Sequence, residues 1–223
     1  MKNLFFIILI PVLLSCTKEA IREQSKILVV IADENESNYV PTDSRIEVLY
    51  TGIGKLNALM TLSYYFDSLQ INKSQYIILN IGTCGSPHFP IGSIVIPDKI
   101  FQGDTYIDKD FEKHTTVYSN GILSMDLFKN YPHAEGVLTS DQFIDISSEL
   151  YKKLQNKKYI FEMEAYAIAN YADSHNIPFY CIKCISDNCD GTIKDWEKIL
   201  DKLRPDIDES ITKFCNELLY NTK

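Results

Sequence analysis

With 223 residues and 22 lysines and arginines against 30 aspartates and glutamates, the chain carries a formal charge of −8. It is long enough for one domain with a sizeable core. Its arginines are Arg22, Arg45 and Arg204 alone, and an acidic chain so poor in arginine argues against a nucleic-acid partner.

Residues 1–15, MKNLFFIILIPVLLS, read as an export signal. Lys2 gives a positive start, and Leu4 to Leu14 an apolar stretch too short to span a bilayer comfortably. Leu13-Leu14-Ser15-Cys16 resembles the lipobox of bacterial lipoproteins, which implies cleavage before Cys16 and diacylation of its thiol. An ordinary secretory signal or a short anchor is the competing reading. Two acyl chains give stable anchoring. Residues 16–25 then form a tether, residues 26–223 the catalytic domain, and the bacterial cell envelope the location. The remaining cysteines, Cys84, Cys181, Cys184, Cys189 and Cys215, are odd in number, so an oxidising compartment leaves at least one free. Cys181, Cys184 and Cys189 raise the question of a metal, but two of them sit within an apolar run, where a small core hydrophobe is expected.

Lys26 to Ala32, KILVVIA, predicts a short buried strand followed by Asp33-Glu34-Asn35-Glu36. Ile46 to Tyr50 predicts a second strand, leading through Thr51-Gly52-Ile53-Gly54-Lys55 into a helix from about Leu56 to Leu69. Tyr76 to Ile81 is a third strand, ending in a glycine-rich loop from Gly82 to Ser86, and Ile94-Val95-Ile96 a fourth. Phe101 to Asn120 is polar and without period, as in a solvated loop or a lid. Gly136 to Leu138 restarts a strand, with Asp141-Gln142-Phe143-Ile144 beyond it, and Ser147 to Leu154 is helical. His88, His114, His133 and His175 fall in loops or at a helix end, and none is placed as a catalyst.

The stretch from Phe161 to Gly191 concentrates the unusual chemistry. Glu162 and Glu164 flank Met163. Ala165, Ile168, Ala169 and Ala172 then fall at i, i+3, i+4 and i+7, a helix stripe ended by Asn176 and Pro178. Phe179 to Ile185, interrupted only by Lys183, reads as a strand buried on both faces of a parallel sheet, with Asp187 at its carboxyl end, where α/β sheets place ligands. The C-terminal helix carries Ile207, Ile211, Phe214, Cys215 and Leu218. Strands alternating with helices predict a three-layer α/β/α sandwich with a central mixed sheet.

Together KILVVIADENE, TGIGKLNA, NIGTCGSPHFPIGSIVIPD, FEMEAYAIA and ISD resemble the nucleoside phosphorylase superfamily. They are most similar to its hydrolytic branch, the 5′-methylthioadenosine/S-adenosylhomocysteine nucleosidases, from Lys26 to about Gly191. The resemblance implies a nucleosidase that hydrolyses the N-ribosidic bond of a purine-type nucleoside with no cofactor and no metal, commonly as a homodimer whose neighbour completes the pocket. Where family members often carry arginine, Lys183 stands here. The GTCG spelling is closer to the phosphorylase branch.

By that resemblance, Asp187 protonates the leaving base and Glu36 activates water. Glu164 accepts the ribose hydroxyls and favours the oxocarbenium-like transition state. Met163 lies against the sugar, and Thr83 holds water or a hydroxyl. Phe143 stacks on the base while the backbone at Ile144 reads its edge, and Glu162 supports the substrate from behind or is solvated. Each residue has a plainer alternative: a helix N-cap for Asp187, a dipole-complementing first-turn acid for Glu164, a solvated turn for Glu36, core filling for Met163 and Phe143. A phosphate-dependent phosphorylase and a nucleoside-binding lipoprotein without turnover are the competing functions. The first needs cationic or N–H donors for phosphate, and the second needs neither an acid nor a water activator.

Overall fold

β1 (Lys26–Ile31) alternates its side chains between two layers, as a strand with both faces buried must. Ile27, Val29 and Ile31 pack with Leu203, Ile207, Ile211 and Phe214 on one side. Leu28 and Val30 pack with Ala58, Leu62, Phe66, Ile168 and Tyr171 on the other. The structure, a computed structural model, describes residues 25–105, 116–121, 126–191 and 196–221. The predicted signal, Cys16, most of the tether and His114 lie outside those residues.

β2 (Ile46–Tyr50), β3 (Tyr76–Gly85), β4 (Ile94–Pro97), β5 (Lys99–Gln102), β6 (Tyr118–Ser119), β7 (His133–Ala134), β8 (Gly136–Thr139), β9 (Tyr159–Glu162) and β10 (Phe179–Asp187) complete a mixed sheet. β3 is its spine. It pairs in parallel with β1 on one edge and with β10 on the other. At Gly85 it also meets Phe161 of β9 antiparallel, where the branch β9-β8-β5-β6 begins. Helices α1 (Lys55–Ser63) and α3 (Ala165–Ser174) cover one face and α4 (Trp196–Asn216) the other. The short α2 (Glu149–Leu154) is capped by the Ser148 hydroxyl, which accepts from Tyr151 N–H. The α/β/α sandwich with a mixed sheet is therefore the observed architecture.

Several elements differ from the sequence reading. β3 continues through Gly82–Gly85, read as a loop, because β10 pairs with it to that point. β9 has no counterpart in the reading: its four residues give too short a run to show a period, and all are buried. β10 is parallel to β3 but antiparallel to β4. The supposed loop from Phe101 to Asn120 begins and ends in strands. Phe101 packs in a core cluster, and the buried Asn120 side chain donates to Pro97 O and Cys181 O and accepts from Cys181 N–H. Its centre, residues 106–115, lies outside the described residues. His133 is in β7, with Nδ1 2.8 Å from Asp98 Oδ1. Cys181, Cys184 and Cys189 belong to three different core clusters and do not converge.

Candidate active site

The carboxyl ends of β1, β3, β9 and β10 open on one cavity of about 190 Å³, lined by Glu36, Thr83, Met163, Glu164, Asp187 and Phe143 among others. An adjoining cleft is lined by Gln142, Phe143 and Ile144. The site residues singled out in the sequence thus come together, with Glu162 in the same wall.

Glu36 ends a single 3₁₀ turn after β1 that Asp33 caps. Its carboxylate is turned inward and almost fully buried. Oε1 accepts from the Thr83 N–H at 2.7 Å and the Thr83 hydroxyl at 2.6 Å, and Oε2 from the Asp33 N–H at 3.3 Å. The Thr83 hydroxyl proton is therefore committed to Glu36. Glycine spacing along β3 follows from the two acids beside it. A Cβ on Gly82 would lie 3.1 Å from Glu36 Oε2, and one on Gly85 2.6 Å from Asp187 Oδ1. Side chains there would displace the carboxylates.

Asp187 is buried at the end of β10. Oδ1 accepts from Cys189 N–H at 2.9 Å, and Oδ2 stands 2.8 Å from the Ser186 hydroxyl. The carboxyl closes a two-residue turn on the Cys189 amide. The helix that follows among the described residues starts only at Trp196.

Glu164 sits at the cap position of α3, yet its side chain caps nothing in that helix. Oε1 instead accepts from Gly54 N–H at 2.8 Å, and Gly54 has φ 98°, a backbone conformation that favours glycine. The cap is supplied from β9: Glu162 Oε2 accepts from the N–H groups of Glu164 and Ala165 at 3.0 and 2.8 Å. Glu162 Oε2 also pairs with Lys183 Nζ at 2.9 Å, and Oε1 accepts from the Thr139 hydroxyl. Glu162 is thus no solvated group. Its lone pairs are committed to the protein, and it bears on the cavity through Glu164.

Burial, the neighbouring Glu162 charge and the more distant Glu36 raise the Glu164 carboxyl to about 8, against the lowering effect of Lys183 and the Gly54 N–H. Burial pulls Lys183 down, but the facing Glu162 carboxylate more than offsets it, and the ammonium is held above its ordinary value.

Phe143 is 53% exposed, so it is not core filling, and it lines the cavity; Ile144 beside it is buried. Met163 lines the same wall. The sequence reading missed Ile53 and Trp196 as lining residues. Ile53 lies between two glycines of a turn, a signal that could have found it. Trp196 stands outside every motif. Lys183, one charge in an apolar run, announced a buried partner that only the fold identifies.

Comparisons with known proteins place the chain in a family and a fold. Residues 38–216 match the family model described as the phosphorylase superfamily. The chain is 27% identical over 157 residues to a 5′-methylthioadenosine/S-adenosylhomocysteine nucleosidase of Buchnera aphidicola, covering 63% of this chain and 61% of that protein. It is 28% identical over 171 residues to the protein of that name from Listeria welshimeri, covering 66% and 72%. The match thus spans less than two thirds of the Buchnera protein. Among solved structures, Arabidopsis thaliana 5′-methylthioadenosine nucleosidase has a TM-score of 0.72 at 22% identity, covering 89% of this chain and 97% of that one. Futalosine hydrolase of Helicobacter pylori has a TM-score of 0.65 at 16% identity, covering 90% and 99%. Likeness at these identities is likeness of fold.

Stability should carry the signature of Glu164. Its folded pKa of about 8 stands above the ordinary glutamate value of 4.5. The protonated form is therefore favoured by folding, and the contribution is complete below pH 4.5 and lost as pH rises through about 8. Glu164→Gln is predicted to melt above the wild type at about pH 9, with the difference vanishing toward about pH 4.5. Thermal unfolding across that range checks it. A difference independent of pH would contradict the assignment.

Proposed function

The chain belongs to the phosphorylase superfamily, and from that premise we propose that it is a nucleosidase acting on a purine-type nucleoside of the 5′-methylthioadenosine or S-adenosylhomocysteine kind. The observation that carries the reading is that Glu36, Glu164 and Asp187, from three separate strand ends, line one cavity with an aromatic wall at Phe143. The similarity to proteins named nucleosidases supports it.

In this mechanism Phe143 stacks on the base, the Ile144 backbone reads its edge, and Met163 lies against the ribose, whose hydroxyls bond to Glu164. Asp187 gives a proton to the base as the C–N bond breaks, so that a neutral base leaves. Proton transfer of this kind contributes about 10²–10⁴-fold. Positive charge grows on the sugar beside Glu164, which favours its ionised form. Water attacks the anomeric carbon and passes its proton to Glu36, whose Oε1 is fixed by Thr83.

Hydrolysis is favoured over phosphorolysis by the lining of the cavity. Among the described residues that line it none is cationic, and Arg45 is engaged by Asp43 and Tyr220. Phosphate sites need such donors.

The protein reaches the cell envelope through a lipid on Cys16 and works as a homodimer. In support of a second copy, Leu56 and Met60 on α1 and Tyr64 just past its end are exposed apolar side chains four residues apart, and the exposed Ile53 before the helix lines the cavity.

Asp187→Asn is expected to lower the rate of base release from 5′-methylthioadenosine by about 10²–10⁴-fold while leaving nucleoside affinity within about threefold. Equal losses of rate and affinity would remove Asp187 as proton donor. Replacing Cys16 by alanine should move the protein from the membrane fraction to the soluble one. Wild-type protein that leaves membranes without detergent would overturn the anchor.

A further inference from the structure

Three segments, two of which line the cavity, meet at one lysine that the proposed chemistry does not use. Lys55 opens α1, and its Nζ forms ion pairs with Asp104 and, at 3.3 Å, with Asp141. Its backbone N–H donates to Asp141 Oδ1 at 3.0 Å, and the Asp141 N–H donates to Asp104 Oδ2 at 2.9 Å. A cation in the first turn of a helix faces the positive end of the helix dipole, which is unfavourable by itself. The two carboxylates, rather than the helix, account for a lysine here. Its side chain is 16% exposed, so the attraction is less screened than at an open surface.

These contacts reach the segment that carries the aromatic wall. Asp141 lies two residues before Phe143, which lines the cavity but belongs to no core cluster that would fix it. Ile53, two residues before Lys55, lines the cavity as well. Between them Gly54 gives its N–H to Glu164. Two successive amides at the start of α1 thus go to the ribose-side carboxylate and to the loop that carries Phe143. Asp104 brings in a third segment, the chain leaving β5.

We propose that Lys55 is a positioning residue: by clasping Asp104 and Asp141 it sets the pose of residues 141–144 and hence where Phe143 stands over the cavity. The part played by Phe143 toward a base rests on the nucleosidase reading, whereas the clasp itself does not.

The full-length protein in detergent is compared as wild type, Lys55→Met, Lys55→Arg and Asp141→Asn, by amide hydrogen exchange and by base release from 5′-methylthioadenosine. Lys55→Met is expected to exchange faster at residues 141–144 with β3 and β10 unchanged, and to raise KM about tenfold with kcat within about threefold. Lys55→Arg restores both. Asp141→Asn, which keeps the lysine, gives the same direction should Lys55→Met fold poorly. Unchanged exchange at residues 141–144 in both variants overturns the clasp. Faster exchange with unchanged KM overturns its role in positioning. Faster local exchange in a protein that releases no base upholds the clasp and counts against the nucleosidase reading instead.

Discussion

The site depends on a lysine buried in the middle of a sheet. Lys183 is 1% exposed, and Glu162, which faces it, is 7% exposed. Removing either partner alone would strand a charge in a low-dielectric interior, at a cost of about 3–5 kcal/mol. The pair bridges β10 and the end of β9, and its consequences run outward from there. Glu162 is held where it can accept the first amides of α3, so the helix starts at a defined point and Glu164 is delivered to the cavity wall. Burial, together with that negative charge, raises Glu164 to about 8. The ion pair therefore fixes the place of the residue assigned to the ribose, while burial is the main cause of its raised pKa.

The other two acids are fixed by β3. Its parallel pairing with β1 and β10 brings the ends of those strands together, and its glycines leave the space that the carboxylates occupy. Glu36 and Asp187 approach the strand at Gly82 and Gly85, on either side of Thr83 and Cys84. The four residues GTCG are thus a spacing device within a strand, and Thr83 adds the donors that hold Glu36. Burial pushes the Cys84 thiol well above its ordinary value, which keeps it uncharged beside the carboxylates.

Much of this was legible in the chain because the signals were periodic or punctuated. β1 and β2 followed from apolar runs with clear ends, and α3 from a stripe at helical spacing. Asp187 followed from its place at a strand end, and the grouping of Glu36, Thr83 and Glu164 with it followed from the order of motifs that resemble a known family. What was not legible lay in pairings between distant segments. β9 is too short for a period, and its identity comes from β8 and β3 beside it. Glu162 could be read as solvated because its partners, Thr139 and Lys183, are 23 and 21 residues away. Phe143 could be read as core because its apolar character says nothing about which side of a loop it faces. Lys55 looked like part of a glycine turn, since Asp104 and Asp141 reach it only through the fold.

On the proposed mechanism these acids direct water, not phosphate, to the sugar. Turnover of 5′-methylthioadenosine in ¹⁸O-water containing excess inorganic phosphate tests it most directly. Free base and a free sugar carrying the label at its anomeric oxygen are expected, with no sugar phosphate. An unlabelled sugar 1-phosphate as the product would contradict it.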